Sequence, residues 1–367
     1  MKTAYTLFAA VLLLFSLGIL MVFNTTSAEV IDRASDVNSH LSMIRQICFA
    51  LFGVGLGAIV YKIGYKTFID KSFFLYGLII IGLILVFVPK IGMHINGAYR
   101  WLNIFGISLQ PSEFVKVILP LVYIKILRGE GMKKGFIRFC LWQIPLVVPI
   151  FMILIEPDNG TAAILLTTLV VLYFLTRIRW YYFVLPIAVV VCIGGTLALS
   201  MQHVSDRIYV YLHPETDLLG KGHQPYQSKI AAGSGGLFGR GLGESIQKLH
   251  YLPEARSDYI AAIYAEEFGF LGVLFLITLY LLITTLGFQI ATYSDDVEGY
   301  YLATILTFIL AFQAFLNLGI VSGFLPSKGT NLPFFSQGGS SLLTNILALA
   351  MLLNIKGRKW RNELQSL

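Results

Sequence analysis

Apolar residues fall along this chain in blocks of about 16 to 24, each long enough to cross a hydrocarbon layer of roughly 30 Å as a helix. Ten blocks are read, near 4–24, 43–61, 73–89, 112–127, 137–155, 161–176, 181–201, 269–290, 300–322 and 340–355. The fourth is short and carries Glu113 and Lys116 at its outer end, and the fifth and sixth are separated only by residues 156–160. In lipid every backbone N–H and C=O must be satisfied within its own segment, so the pattern predicts an all-α polytopic membrane protein. A membrane β-barrel would alternate in shorter segments. One long polar stretch, about 202–268, separates the seventh and eighth helices as an outward loop, and residues 1–367 read as a single integral membrane domain.

Charge sets the orientation. With 56% hydrophobic and only 13% charged residues, the net charge of +7 reads as positive cytoplasmic loops rather than a nucleic-acid surface. Lys62, Lys66 and Lys71 fall on one side, together with Lys125, Arg128, Lys133, Lys134 and Arg138. Arg177, Arg179 and the tail residues Lys356, Arg358, Lys359 and Arg361 join them. An even number of spans then places both termini in the cytoplasm. The acidic stretch Ser294–Glu298 is the one loop that disagrees. The apolar run after Lys2 is longer than a signal-peptide core and reads as an uncleaved first helix. The three cysteines (Cys48, Cys140 and Cys192) lie singly in apolar blocks, and the six histidines fall in outward loops without ligand spacing, so neither disulfide nor metal site is legible.

In so apolar a chain, chemistry is confined to the places where polar groups gather. Pro111 suits the first turn of a helix, Glu113 then sits at the positive end of its dipole, and Lys116 follows one turn later on the same face. They make either an intramembrane ion pair or, with Arg100 and Arg45, a cationic mouth for an anionic headgroup. Asp158, in the turn Glu156-Pro-Asp-Asn-Gly160, suits a helix cap or a second outward carboxylate. The glycine-rich run 233–243 lacks the ending of a phosphate-cradling loop, which excludes ATP binding; it suits a hinge or backbone passing close to a ligand. Asp258, at the end of the long polar stretch, suits an N-cap or a base that takes a proton from a hydroxyl. Lys328 and Ser340 lie in the last outward segment, with Ser340 and Ser341 placed to cap the final helix.

Nine motifs in this order resemble the SEDS family (shape, elongation, division and sporulation). They are Arg45-Gln46, Arg100-Trp101, Gln110-Pro-Ser-Glu113 with Lys116, Pro157-Asp158 with Gly160-Thr161, Tyr226-Gln-Ser228, Gly233-Ser-Gly-Gly236, Gly241-Leu-Gly243, Leu252-Pro-Glu254 with Asp258, and Gly338-Gly-Ser-Ser341. Residues 245–255, Ser327-Lys-Gly329 and the double serine are more similar to the division type, FtsW, than to the elongation type, RodA. Two positions depart from the family pattern: Arg256-Ser257 stands where His-Thr is usual, and Gln337 where Tyr is usual. A cation beside Asp258 would favour its ionised form.

The resemblance implies a peptidoglycan glycosyltransferase that polymerises lipid II at the outer membrane face during cell division, acting with a class B transpeptidase and the division machinery. Asp258 is implied as general base. Arg45, Arg100 and Lys116 are implied at the diphosphate, with Glu113 orienting Lys116 and with Asp158, Lys328 and Ser340 contributing to the substrate site. A divalent cation, Mg or Mn, fits such a diphosphate, although no ligand set for one is legible. A lipid flippase would need a hydrophilic path, and the spans carry almost no charge.

Overall fold

The computed structural model describes residues 2–32, 40–95, 98–104, 106–129, 135–184, 188, 211, 220, 222–249, 252, 254–326 and 329–365. Most of the seventh apolar block, the start of the long polar stretch, Lys133, Lys134, Cys192, His203, His213, His250 and Lys328 lie outside the described residues.

The chain is mostly helical, as the hydropathy pattern predicts. In order come α1 (Lys2–Asp32), α2 (Leu41–Ile63), the short α3 (Tyr65–Asp70), α4 (Ser72–Leu85), α5 (Pro111–Arg128), α6 (Phe136–Ile155), α7 (Asn159–Leu175), α8 (His223–Ser234), α9 (Ile260–Thr292), α10 (Val297–Val321) and α11 (Gly339–Gln365). Among the described residues six helices are long and apolar enough to cross a membrane, namely α1, α2, α6, α9, α10 and α11, while α4 and α7 are shorter apolar helices. Between α4 and α5 the chain forms a small antiparallel sheet, β1 (Gly92–Ile95), β2 (Ala98–Ile104) and β3 (Ile107–Leu109), in the order β1-β2-β3. The hydropathy pattern does not carry this sheet, because strands of four, seven and three residues are too short to show a period.

Two apolar clusters form the interior, and α5 and α10 belong to both. On α5, Val117, Leu121 and Ile124 face the cluster built with α1, α2, α9 and α11, whereas Val115, Leu119, Val122 and Ile126 face the cluster built with α4, α6 and α7. Spacings of three and four residues place each set on its own side of one helix. This explains how an 18-residue helix with four charged side chains stays in the bundle: protein surrounds it rather than lipid.

The glycine-rich run packs onto α9. The helix breaks at Gly269 (φ 64°, ψ −165°), nine residues after its start. The freed groups are then satisfied from outside the helix. Arg240 N donates to Glu266 O (3.0 Å) and Gly241 N to Glu267 O (3.0 Å), while Phe270 N donates to Gly236 O (2.9 Å) and Leu271 N to Leu237 O (3.2 Å). A Cβ on Gly239 would stand 2.1 Å from Glu267 O, and one on Gly269 would stand 2.3 Å from Gly239 N, so only glycine allows the two backbones to meet. The run is therefore a clasp on α9 rather than a free hinge.

Two buried carboxylates pin this clasp. Glu266 accepts from Ser245 Oγ (2.6 Å) and from the backbone N–H groups of Ile246 and Gln247. Glu267 accepts from Lys248 Nζ (2.8 Å) and from Asn24 Nδ2 (2.6 Å) on α1. Glu267→Ala would leave the Lys248 ammonium, 5% exposed, without its counter-charge. The expected loss is about 3–5 kcal/mol of stability. A fall in melting temperature and new protease cleavage within 235–249 of the detergent-solubilised protein report it; an unchanged digest and melt refute it.

Charged groups collect at the far end of the bundle. Arg128 pairs with Asp70 (2.5 Å) and Glu298 (2.6 Å), and Lys66 pairs with Asp296 (2.6 Å), which also accepts from Tyr65 Oη. The acidic 294–298 loop thus sits on the side of Lys66 and Arg128, which pair with it. The start of α1 and the end of α11 share this end, with Tyr5, Tyr61 and Lys356 lining one recess.

Candidate active site

A polar cavity of about 410 Å³ opens at the opposite end of the bundle. Five helices begin around it among the described residues, and side chains come from their first turns, their caps or the residues leading into them. Arg45 and Gln46 come from α2, Gln110, Glu113 and Lys116 from α5, Asp158 and Thr161 from α7, Asp258 from the loop entering α9, and Ser340 and Ser341 from α11. Arg100 and Trp101 reach it from β2, and Gln313 from α10. The site residues expected from sequence therefore meet in one place, except Lys328, which lies outside the described residues.

Each element is held for an identifiable reason. Pro111 occupies the first turn of α5, where its missing N–H costs nothing. Asp158 caps α7, accepting from Thr161 N (3.1 Å), and its other oxygen accepts from Gln110 Nε2 (3.1 Å). Capping and cavity lining are thus done by the same carboxylate. Ser340, expected as a cap, instead accepts from Gln110 N (2.9 Å) and ties the start of α5 to the start of α11. Gln110 links three elements, the starts of α5, α7 and α11.

The cations differ in how much of their charge remains free. Arg100 donates from Nε to Glu156 O (3.1 Å) and from Nη2 to Pro157 O (2.6 Å). Both acceptors are neutral carbonyls, so the guanidinium is fixed in place with its charge uncompensated by them. Arg45 is exposed at the rim. Lys116, 1% exposed, lies 2.6 Å from Glu113 as an ion pair, yet its geometry is not that of an aligned hydrogen bond. Its N–H donors remain unused within the described residues, in a side chain that lines the cavity.

Asp258 is half-buried in the turn that leads into α9. The cap position of that helix is Tyr259, and no side chain caps it, so the Asp258 carboxylate is not an N-cap. The turn is fixed by backbone bonds. Ser257 N and Tyr259 N donate to Glu254 O, and Asn317 Nδ2 of α10 donates both to Asp258 O (2.8 Å) and to Thr330 O (2.6 Å). A Cβ on Gly329 would stand 2.9 Å from Asp258 Oδ2, so bare backbone faces the carboxylate. Burial pushes the Asp258 carboxyl up to about 7; Glu254 and Asp158 push in the same direction and Arg100 opposes them. Arg100 and Arg256 both line the cavity with it. Arg256 O accepts from Gln337 N (3.0 Å), which joins the two positions that depart from the family pattern.

Glu156 lies fully buried behind the turn, and among the described residues neither of its oxygens has a hydrogen-bond partner. Burial, then Asp158, pushes it up to about 8, so it is neutral at pH 7 and adds no charge to the cavity. Among the described residues no group of three His, Cys, Asp or Glu is arranged to hold a metal ion.

Gln110 was marked in the sequence by its motif, whereas Gln313 and Asn317 are the site residues that the sequence did not reveal. They are neutral amides inside an apolar block, and Asn317 gains its partners only in the tertiary arrangement. The only signal was their presence as buried polar groups in the spans or at their ends.

Known proteins share this architecture over nearly their whole length. A chain from a solved structure on the coordination of polymerization and crosslinking by a peptidoglycan synthase complex superposes with a TM-score of 0.79 at 23% identity, covering 97% of this chain and 98% of that one. The rod shape determining protein RodA of Thermus thermophilus gives 0.69 at 24% identity, covering 97% of each. In sequence, the probable peptidoglycan glycosyltransferase FtsW of Coxiella burnetii is 37% identical over 353 residues, 93% of each chain. The stage V sporulation protein E of Bacillus subtilis is 34% identical over 350 residues, 94% of each. The family described as cell cycle protein, which groups FtsW, RodA and SpoVE, matches residues 4–360. With nearly all of its length matched and its motifs gathered in one cavity, the chain belongs to the FtsW/RodA/SpoVE family, the SEDS proteins.

Proposed function

We propose that this chain is a peptidoglycan glycosyltransferase of the division type. It polymerises lipid II into glycan strands at the outer face of the cytoplasmic membrane, with the cavity facing outward and both termini in the cytoplasm. The observation that carries the reading is the meeting, in one cavity, of Asp258 with Arg45, Arg100 and Lys116. A base and three cations suit a sugar hydroxyl attacking a sugar diphosphate.

The step is an in-line displacement. The 4-hydroxyl of the acceptor GlcNAc attacks C1 of the donor MurNAc with inversion, and Asp258 takes the hydroxyl proton as the new C–O bond forms. The C1–O bond to the diphosphate breaks, and undecaprenyl diphosphate leaves with the electron pair. Arg45, Arg100 and Lys116 offset the charge that grows on it. Glu113 holds Lys116, and Asp158 with Ser340 fixes Gln110 and the helix starts around the sugar. Lys328 joins this substrate site in the proposal. The whole chain acts as one domain and cross-links no peptides, so a class B transpeptidase and the division machinery complete the reaction.

The test is polymerisation of lipid II by the protein purified with its transpeptidase. Because Asp258 must be ionised to accept a proton and its carboxyl sits up near 7, the rate should climb by about tenfold per pH unit below that value and level off above it. Absence of polymer at every pH removes the reading, and a rate flat from pH 5 to 8 removes Asp258 as base.

A further inference from the structure

Below the polar cavity an apolar groove of about 840 Å³ runs between α1 and α2, with α11 as its floor. Its walls include Phe8 and Phe15 of α1, Ala50 and Val54 of α2, and Ile346 and Leu349 of α11. Along α2 the groove extends from Ile47 to Lys62, roughly 22 Å at about 1.5 Å per residue. That is most of the hydrocarbon thickness of one membrane.

The two spaces adjoin. On α2, Arg45, Gln46 and Phe49 line the polar cavity while Ile47, Ala50 and Leu51 line the groove. On the segment entering α11, Gln337 to Ser341 line the cavity, and Phe334 and Leu342 on either side line the groove. The same two helices therefore present a polar, cationic surface at the membrane boundary and an apolar channel directly beneath it. An amphiphile with a phosphate-bearing head and one long hydrocarbon chain matches this division.

We propose that the α1–α2–α11 groove holds the first part of the polyprenyl chain of the lipid-linked substrate whose diphosphate occupies the cavity. The inference rests on the glycosyltransferase reading. Lipid tails are as apolar as the groove, so the chain gains no hydrophobic transfer on entering it. The groove acts through packing and orientation, holding the chain so that the diphosphate lies beside Arg45 and Arg100 rather than drifting along the surface. Small residues keep it open: Ala50, Gly57 and Ala58 line it where a larger side chain would fill it.

The experiment compares lipid II carrying its undecaprenyl chain with an analogue carrying a farnesyl chain, in polymerisation by the complex with its transpeptidase. Ser16 and Ala58 line the groove and are exposed, so Ser16→Phe and Ala58→Phe place an aromatic ring in the groove without disturbing the buried packing. Gly55→Phe is the control: position 55 is exposed on α2, and a Cβ there meets nothing within 4 Å. The unmodified complex and the control should favour the long chain by about tenfold in kcat/KM, and the two groove variants should lose that preference.

Unchanged preference in the groove variants, or equal loss with both chain lengths, overturns the proposal; the second outcome would mean that a structural lipid or a partner's helix fills the groove. No polymer from the unmodified complex with either lipid removes the glycosyltransferase reading and this inference with it. A diazirine-tailed analogue gives an independent measurement, labelling α2 peptides in the unmodified complex and not in Ala58→Phe.

Discussion

Asp258→Ala is expected to abolish measurable polymerisation while leaving a folded protein. General base catalysis contributes about 10²–10⁴-fold, and among the described residues the other carboxylates lining the cavity are engaged, Asp158 with Thr161 and Gln110, Glu113 with Lys116 and Glu254 with Ser257 Oγ. The fold should survive because the turn is held by the backbone of Asp258, through Asn317, and not by its carboxylate. The sign of the stability change can be worked out. The carboxyl sits at about 7 in the folded chain, above the unfolded value of about 3.9. Its contribution to stability is therefore fully present below about pH 4 and is lost as pH rises through about 7. At pH 8 the folded state carries a disfavoured charge, so Asp258→Asn should melt no lower than the unsubstituted protein. Rates with lipid II and melting curves at pH 5 and pH 8 check both halves. Near-normal polymerisation by either variant removes the assignment, and a lower melting temperature at pH 8 would show that the carboxylate is structural.

The second large effect concerns the pair at the start of α5. Glu113→Ala leaves Lys116, 1% exposed, as an uncompensated buried cation. Breaking such a pair from one side costs about 3–5 kcal/mol, a large part of a typical folding stability of roughly 5–15 kcal/mol. Folded yield in detergent should fall sharply, and activity with it. Replacing both members, Glu113→Gln with Lys116→Met, removes the buried charges together and should restore yield. Polymerisation should not return, because the ammonium that lines the cavity has gone. Size-exclusion recovery and thermal unfolding measure the first effect, and the lipid II assay measures the second. A double variant that polymerises at the normal rate would reduce the pair to a structural device.

Much of this arrangement could be read from the sequence because charge is rare in it. Glu113, Lys116, Asp158 and Asp258 stood out at the starts of apolar blocks, and the structure brings them to one cavity. The start of α9 was less legible. The eighth block was read from 269, whereas the helix begins at Ile260, because the charges of Glu266 and Glu267 interrupt the apolar run. They are buried because Ser245 and Lys248 return to them from the clasp, a pairing no local pattern encodes. The sheet from 92 to 109 was hidden by its short strands, and Gln313 and Asn317 by their neutrality. Position along the chain tells where a polar side chain is affordable; only packing tells which neutral one has been given a partner.

The five helix starts around the cavity bear on how such a site tolerates change. Each contributes roughly half a positive charge from its unpaired amides, so together they nominally match the charge of a diphosphate in order of magnitude. This field belongs to the main chain. It neither titrates nor disappears with any one side chain, and it lasts as long as the bundle is folded. In the proposed mechanism, loss of one arginine leaves this backbone field in place, whereas the acid that takes the hydroxyl proton has no such backbone substitute.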